Sequence, residues 1–273
     1  MTEKSIREPL PGGKGKKRVI IMGASSGIGL GLAEALASRG VAVGLAARHT
    51  KKLLDLQARF PDCVAYERID ITHQNAPELL SKLIESTGGM DIYIHASGIG
   101  MDNAELDPQK EADVVNTNAT GFARMLSAAY RYFRERGGKG QIAAITSVAG
   151  TNGIGCLAAY SASKAFGQKY LVALEQLAHL ENTDVSFTDI RPGWVDTPLL
   201  LQNHKYPMEM SVDYVVPRII RAIARKRRVE VIDWRWDIVV ALWRCIPNAL
   251  WVSAGTFAAL ASAPLPSGDD EKL

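Results

Sequence analysis

The chain has 273 residues, of which 47% are hydrophobic and 22% are charged, and its formal net charge is +3. This length suits one α/β domain with a well-buried core, and the nearly balanced charge gives no indication of a nucleic-acid partner or of disorder. Cys63, Cys156 and Cys245 lie far apart and indicate neither a disulfide framework nor a metal site. We interpret them as buried thiols of a protein in a reducing, cytoplasmic compartment.

The first 17 residues are polar, rich in proline and glycine, and predict a flexible leader rather than a secretory signal. From residue 18, short β-branched runs alternate with segments of helical period, which is typical of an α/β fold with a doubly wound parallel sheet. About seven strands are predicted, at residues 18–22, 41–46, 63–69, 91–95, 140–146, 185–190 and 229–232. Helices are predicted to begin near residues 27, 51, 76, 110, 119, 158 and 212, and residues 18–233 form one predicted domain.

A glycine-rich turn follows the first strand directly and opens the first helix. Its residues are Gly23, Ala24, Ser25, Ser26, Gly27, Ile28 and Gly29. Glycines allow a tight turn and a close backbone approach to a pyrophosphate, while the helix N-terminus offers free N–H groups to that anion. An ordinary turn that binds no ligand is the alternative, but the position after the first strand favours a dinucleotide site.

The end of the second strand carries no carboxylate, which would hydrogen-bond the ribose hydroxyls of NAD and repel a 2′-phosphate. Arg48 stands there instead, and its guanidinium suits a phosphate. NADP(H) is therefore predicted in preference to NAD(H), unless Arg48 is only a solvated charge. Asp70, followed by Ile71, ends the third strand and either accepts from the adenine amino group or caps its own turn.

Tyr160 and Lys164 are spaced i and i+4, so a helix would place them on one face about one turn apart. A nearby ammonium favours the phenolate and is expected to lower the pKa of Tyr160 from about 10. Tyr160 could then exchange a proton with a substrate oxygen. Ser147, at a strand end, could donate a hydrogen bond to the same oxygen.

With these features in order, the chain resembles the short-chain dehydrogenase/reductase family from about residue 18 to residue 231. The resembling features are the glycine spacing, Tyr160 with Lys164, Ser147, Asn118 and the stretch from Arg191 to Thr197. The resemblance implies that Lys164 binds the nicotinamide ribose and that Asn118 holds a proton-relaying water. It also implies cofactor contacts from Ala96, Gly98, Pro192, Gly193, Val195 and Thr197, beside those from the glycine turn, Asn118, Tyr160 and Lys164.

The chain departs from the family after the fourth strand, where His95, Ala96, Ser97 and Gly98 replace the usual Asn-Asn-Ala-Gly run. We interpret His95 as a hydrogen-bonded core residue, with a catalytic role as the alternative. Residues 199–210, in the family's substrate-loop region, are rich in apolar side chains and predict an apolar or bulky substrate.

Residues 234–273 form a predicted C-terminal extension that is apolar as far as Leu265. Arg244, Pro247 and Asn248 make it a poor membrane-spanning helix. The favoured interpretation is a subunit contact of a homodimer or homotetramer. A peripheral membrane contact, with the chain then membrane-associated, and an intramolecular lid are the alternatives.

The sequence thus predicts an NADP(H)-dependent oxidoreductase that moves hydride between nicotinamide and a ketone or secondary alcohol. Asn118, Ser147, Tyr160 and Lys164 are its predicted catalytic residues. The alternatives are an epimerase on the same fold and a cofactor-binding regulator or scaffold without turnover.

Overall fold

The structure is a computed structural model, and it describes residues 17–100, 102–200 and 206–254. Nearly all of the predicted leader, the second half of the C-terminal extension and Leu201 in the substrate-loop region lie outside the described residues.

A seven-stranded parallel sheet forms the centre of the molecule, in the order β3-β2-β1-β4-β5-β6-β7. Its strands are β1 (Arg18–Met22), β2 (Ala42–Ala47), β3 (Val64–Arg68), β4 (Ile92–His95), β5 (Lys139–Ile145), β6 (Asp184–Pro192) and β7 (Val229–Ile232). The order reverses beside β1, which is the switch of a doubly wound sheet. The predicted fold class is confirmed.

Helices cover both faces of this sheet and bury its near-continuous apolar strands. They are α1 (Gly27–Ala37), α2 (Lys51–Arg59), α3 (Ala76–Ser86), α4 (Pro108–Val115), α5 (Phe122–Glu135), α6 (Ala158–Leu180), α7 (Val212–Ala224), α8 (Trp234–Cys245) and α9 (Asn248–Ala254). The core on one face joins the sheet to α1, α2, α7 and α8, and the core on the other joins it to α3, α5 and α6. Burial on both faces explains the absence of polar alternation in the strands.

The two helices predicted near residues 110 and 119 form one continuous helical path. A π-helical turn, Asn116–Gly121, joins α4 to α5 without a loop. In a π turn each carbonyl bonds the fifth residue ahead, and such turns occur mostly as single turns within α-helices, often at functional sites. The helix predicted to begin near residue 119 is α5, which begins at Phe122, and a π turn rather than a loop joins it to α4.

The C-terminal extension packs on its own domain through three tryptophans. Trp236 and Trp243 are buried on α8, and the Trp243 backbone carbonyl accepts a hydrogen bond of 3.1 Å from Asn152. The Trp251 indole N–H donates to the Gly153 carbonyl at 2.7 Å. Neighbouring rings meet edge to face, with centroids 6.3 Å and 5.5 Å apart. The described part of the extension thus contacts the loop between β5 and α6.

The outward face of the extension is also apolar. Trp234, Ile238 and Leu242 recur every four residues along α8 and are 51–69% exposed. Among residues 17–100, 102–200 and 206–254, no helix is long and apolar enough to cross a membrane. Cys245 is exposed, so the prediction of buried thiols was wrong for it, whereas Cys156 is buried and Cys63 half-buried.

Gly193 provides a stability test of the packing of α8. A methyl group at this position would lie 2.1 Å from the Trp236 indole, whereas one at Gly153 would meet nothing within 4 Å. Because overpacking a tight contact costs on the order of 1–3 kcal/mol, Gly193→Ala should lower the free energy of unfolding in urea by that amount. The Gly153→Ala control should change it by less than about 0.5 kcal/mol. Equal effects of the two substitutions would contradict this packing.

Candidate active site

A cavity of about 720 Å³ opens at the carboxyl edge of the sheet, where the strand order reverses. Ligands of open parallel sheets bind at this place, and the volume is typical of a small-molecule site. The cavity extends from Arg48 to Tyr160. The predicted residues that line it are Gly23, Ser25, Ser26, Gly27, Ile28, Gly29, Arg48, Asp70, Ile71, Ala96, Gly98, Ser147, Tyr160, Lys164, Pro192, Gly193, Val195 and Thr197.

The glycine turn packs too closely for side chains at two of its positions. A methyl group on Gly29 would lie 2.0 Å from the Gly23 carbonyl oxygen, and one on Gly23 would lie 2.6 Å from the Ser97 nitrogen. Gly23 has a φ of +91°, which favours glycine. Ser26 caps α1 with extended backbone, and its hydroxyl accepts no hydrogen bond from the helix. The N–H groups at the start of α1 therefore face the cavity beside an exposed hydroxyl.

Arg48 and Asp70 lie at the far end of the cavity. Arg48 is exposed, and its backbone carbonyl accepts a 3.3 Å bond from Arg68. Asp70 accepts from the backbone N–H and hydroxyl of Thr72 at 3.0 and 2.7 Å. Partial burial opposes ionisation of Asp70, but the bonds from Thr72 and the charge of Arg48 leave its pKa lowered. Asp70 thus caps its turn and also lines the cavity, and its contact with an adenine amino group stays a prediction.

Ser147 lies where β5 ends, close to Tyr160. The Ser147 oxygen accepts from the Ala149 backbone N–H at 3.1 Å, and its hydroxyl points to the Pro192 carbonyl at 3.4 Å. The Ser147 backbone carbonyl accepts from buried Gln168 at 2.8 Å. These contacts fix the hydroxyl between the ends of β5 and β6.

Tyr160 has a raised pKa, in contrast to the lowering expected from sequence. Burial disfavours the phenolate and raises the pKa, while the nearby Ser147 hydroxyl opposes that effect. Lys164 lies on the same helical face, with its nitrogen 5.5 Å from the centre of the Tyr160 ring. Burial is the larger of the two influences on the Tyr160 phenol. The phenol is therefore protonated at neutral pH.

Lys164 is itself buried, with its ammonium bonded to the Ile145 carbonyl at 3.2 Å. Burial lowers the pKa of Lys164 to about 8, and the carboxylate of Asp189 opposes this effect. A methyl group on Gly98 would lie 3.4 Å from the Lys164 nitrogen, so the glycine keeps this side of the ammonium clear of a side chain.

Asn118 lies in the π turn and is the one predicted site residue that does not line the cavity. Its carboxamide accepts from the Ile99 N–H at 2.9 Å and donates to the Ile99 carbonyl at 2.7 Å. It also donates to the Ser163 hydroxyl at 3.2 Å. Both ends of the side chain therefore hold the loop that follows β4 against α6.

His95 lies in the core rather than in the cavity. Its Nδ1 lies 3.0 Å from the Tyr93 hydroxyl, and its ring meets Phe122 edge to face. Burial lowers the pKa of His95 to about 3, and the charge of Lys164 acts in the same direction. His95 is therefore neutral at physiological pH, which agrees with its interpretation as a hydrogen-bonded core histidine.

The end of the cavity near Tyr160 is lined by apolar side chains, and two residues there, Leu157 and Gly100, were not singled out from the sequence. The Trp194 and Tyr206 rings lie 4.6 Å apart at 31°, and Leu157, Leu199 and Leu200 complete this wall. A methyl group on Gly100 would lie 3.1 Å from the Tyr160 ring. Leu157 and Gly100 carry no sequence signal of their own, because their roles depend on contacts across the fold.

Acid unfolding tests the burial of His95. Its pKa of about 3 lies below the ordinary 6.5, so the unfolded chain binds a proton that the folded chain excludes. Stability should therefore fall as the pH drops from about 6.5 to about 3, by on the order of 5 kcal/mol from this group. His95→Asn should remove that part of the pH dependence in urea titrations. Exposed His73 provides the control, and identical pH profiles for wild type and His95→Asn would contradict a buried neutral imidazole.

The sequence of this chain matches a family model and the sequences of known proteins. Residues 17–206 match the family model for short chain dehydrogenase. An uncharacterized oxidoreductase of Myxococcus xanthus is 32% identical over 245 residues, covering 87% of this chain and 96% of the relative. A dehydrogenase/reductase SDR family protein 7-like of Drosophila melanogaster is 30% identical over 275 residues, covering 91% and 82%.

Solved structures share the fold. The closed form of serine dehydrogenase complexed with NADP+ has a TM-score of 0.69 at 23% identity, with 78% of this chain and 93% of that chain covered. An alcohol dehydrogenase from Thermococcus sibiricus, complexed with 5-hydroxy-NADP, has a TM-score of 0.65 at 26% identity, with 79% and 94% covered.

Proposed function

Because the chain belongs to the short-chain dehydrogenase family and is an NAD(P)-dependent oxidoreductase, we propose that it uses NADP(H) to interconvert a ketone and a secondary alcohol. The observation that carries the proposal is one cavity lined by the glycine turn, Ser147, Tyr160 and Lys164. Tyr160 is its proposed acid/base.

The described residues fit a dinucleotide. The glycine turn leaves the start of α1 open to a phosphate, and Gly98 leaves space beside Lys164. Ser25, Ser26, Ile28, Ile71, Ala96, Pro192, Val195 and Thr197 would line the bound cofactor. When bound, the nicotinamide supplies or accepts the hydride at the substrate carbon.

Tyr160 and Ser147 would act on the substrate oxygen. In the reducing direction this oxygen gains negative charge, so a protonated phenol is the form needed to donate a proton to it. The raised pKa of Tyr160 keeps the phenol in that form. The Ser147 hydroxyl would turn from Pro192 towards the substrate and donate a hydrogen bond, which stabilises the developing charge.

Lys164 would stabilise the tyrosinate that remains after proton donation, because its charge lies 5.5 Å from the ring. It would also bind the nicotinamide ribose. Asn118 would act mainly by holding the loop at Ile99, since both ends of its carboxamide are bonded there. A relay water would contact either the backbone of the π turn or the second lone pair of the Asn118 amide oxygen.

The preference for NADP(H) rests on the end of β2. Exposed Arg48 and His49 follow this strand, and both line the cavity. They come just before α2, whose N-terminal end carries a partial positive charge. The similar alcohol dehydrogenase structure also contains an NADP derivative.

The apolar wall of Leu157, Leu199, Leu200, Trp194 and Tyr206 favours an apolar carbonyl substrate. Self-association as a homodimer or homotetramer remains a prediction for the chain, and the exposed apolar face of α8 is one surface that supports it. Peripheral membrane contact by the same face also remains a prediction.

Tyr160→Phe tests the proposed chemistry. The variant keeps the ring but cannot transfer a proton, so we expect NADPH oxidation with a ketone and aldehyde panel to fall by at least about 100-fold. Tyr170→Phe is the matched control on the same helix, because that hydroxyl bonds Ser127 outside the cavity. Unchanged turnover in Tyr160→Phe would refute the acid/base role. NADPH binding without turnover of any panel substrate in the wild type would favour the regulatory alternative.

Arg48→Ala tests cofactor choice. Loss of a charge-assisted contact with the 2′-phosphate costs roughly 1.5–3 kcal/mol, so NADPH affinity should fall by a factor of about 10 or more, and NADH affinity should change little. Arg59→Ala removes a nearby cation that pairs with Glu34 outside the cavity, and it serves as control. Fluorescence titration with both cofactors measures the difference, and an equal loss for NADH and NADPH would exclude phosphate recognition by Arg48.

A further inference from the structure

Asp189 carries a buried negative charge directly behind the proposed catalytic residues. It lies on β6 with 4% of its surface exposed, and one of its oxygens accepts from the Thr146 hydroxyl at 2.5 Å. The other oxygen pairs with the Arg191 guanidinium at 2.6 and 2.7 Å. Arg191 is 7% exposed. Burying two charges costs several kcal/mol per ion before their attraction is counted, so this pair is a weak source of stability.

The two partners of Asp189 adjoin Ser147 and the residue whose carbonyl accepts from the Ser147 hydroxyl. Thr146 precedes Ser147, and Arg191 precedes Pro192, whose carbonyl accepts from Ser147. The Thr146 N–H also bonds the Ile190 carbonyl at 2.8 Å, which extends the pairing of β5 with β6. One carboxylate therefore fixes the ends of both strands at the position of Ser147.

Lys164 experiences the charge of the same carboxylate. Lys164 donates to the carbonyl of Ile145, which precedes Thr146, the residue whose hydroxyl bonds Asp189. The Asp189 carboxylate raises the pKa of Lys164. The other ionisable groups on the packed elements are Tyr160, neutral His95 on β4 and Arg191, which pairs with Asp189. Asp189 is the anion of this set.

We propose that Asp189 is a positioning residue that orients Ser147 through Thr146 and supplies the negative charge that keeps Lys164 an ammonium ion. The inference rests on the proposed function, because it assigns Asp189 to the same reaction. Without this anion the pKa of Lys164 would fall further below its ordinary value. The ammonium would then be lost at lower pH, and with it the stabilisation of the Tyr160 anion.

Two variants separate the charge of Asp189 from its pairing with Arg191. Asp189→Asn keeps the shape of the side chain but leaves the Arg191 cation without a counterion. The double variant Asp189→Asn/Arg191→Met removes both charges and leaves no unpaired buried ion. It can therefore be measured even if the single variant does not fold. Asp184→Asn changes an exposed carboxylate at the start of the same strand and is the control.

The first measurement follows Lys164 directly and does not depend on turnover. Competitive acylation of the lysines across a pH series, quantified by peptide mass spectrometry, gives the midpoint at which Lys164 becomes reactive. Exposed Lys169 on the same helix is the internal reference. In both Asp189 variants the midpoint of Lys164 should move down by roughly 1 on the pH scale, while the control leaves it in place. An unchanged midpoint in the folded double variant overturns the proposal.

The second measurement is the pH profile of kcat/KM with NADPH and the best panel substrate. The alkaline limb should move to lower pH in both Asp189 variants, with a loss of at least about 10-fold at pH 8. Full recovery of the profile in the double variant would mean that Asp189 only neutralises Arg191, and it would overturn the proposal. If the wild type has no turnover, the proposed function fails and the acylation midpoint still reports on Asp189 and Lys164.

Discussion

Parallel pairing of the strands is the constraint on which the rest of the molecule depends. Since all seven strands run in the same direction, their carboxyl ends meet at one edge of the sheet. The glycine turn after β1, Arg48 after β2, Ser147 after β5 and Gly193 after β6 are all placed there by this pairing. A single cavity thus combines residues as far apart in the chain as Gly23 and Tyr206.

Burial sets the electrostatics of the site more than charge pairing does. The pKa of Tyr160 is raised and those of Lys164 and His95 are lowered, and in each case desolvation is the largest cause. In each of the three groups, burial shifts the equilibrium towards the neutral form. The protonated phenol of Tyr160 suits the reducing direction, in which the substrate oxygen accepts a proton. The ammonium form of Lys164, in contrast, has to be stabilised against the same desolvation.

Local sequence was sufficient to predict the sheet, the glycine turn and the pairing of Tyr160 with Lys164, because each depends on periodicity or on neighbouring residues. It predicted the wrong direction for the pKa of Tyr160, since burial is a property of the whole fold. Contacts between distant segments were also missed. The Trp236 ring against Gly193 and the Thr146 bond to Asp189 join residues 43 positions apart, and neither has a sequence pattern.

The π turn between α4 and α5 makes the site depend on the number of residues as well as on their identity. Its bonds close over five residues instead of four, so this helical path holds one residue more than a regular α-helix would. Each residue turns the chain by about 100°. The extra residue allows Asn118 to face Ile99 while Met125 and Leu126 still face the sheet. A single deletion between residues 116 and 121 would restore a regular helix, and it would sacrifice one of these two orientations.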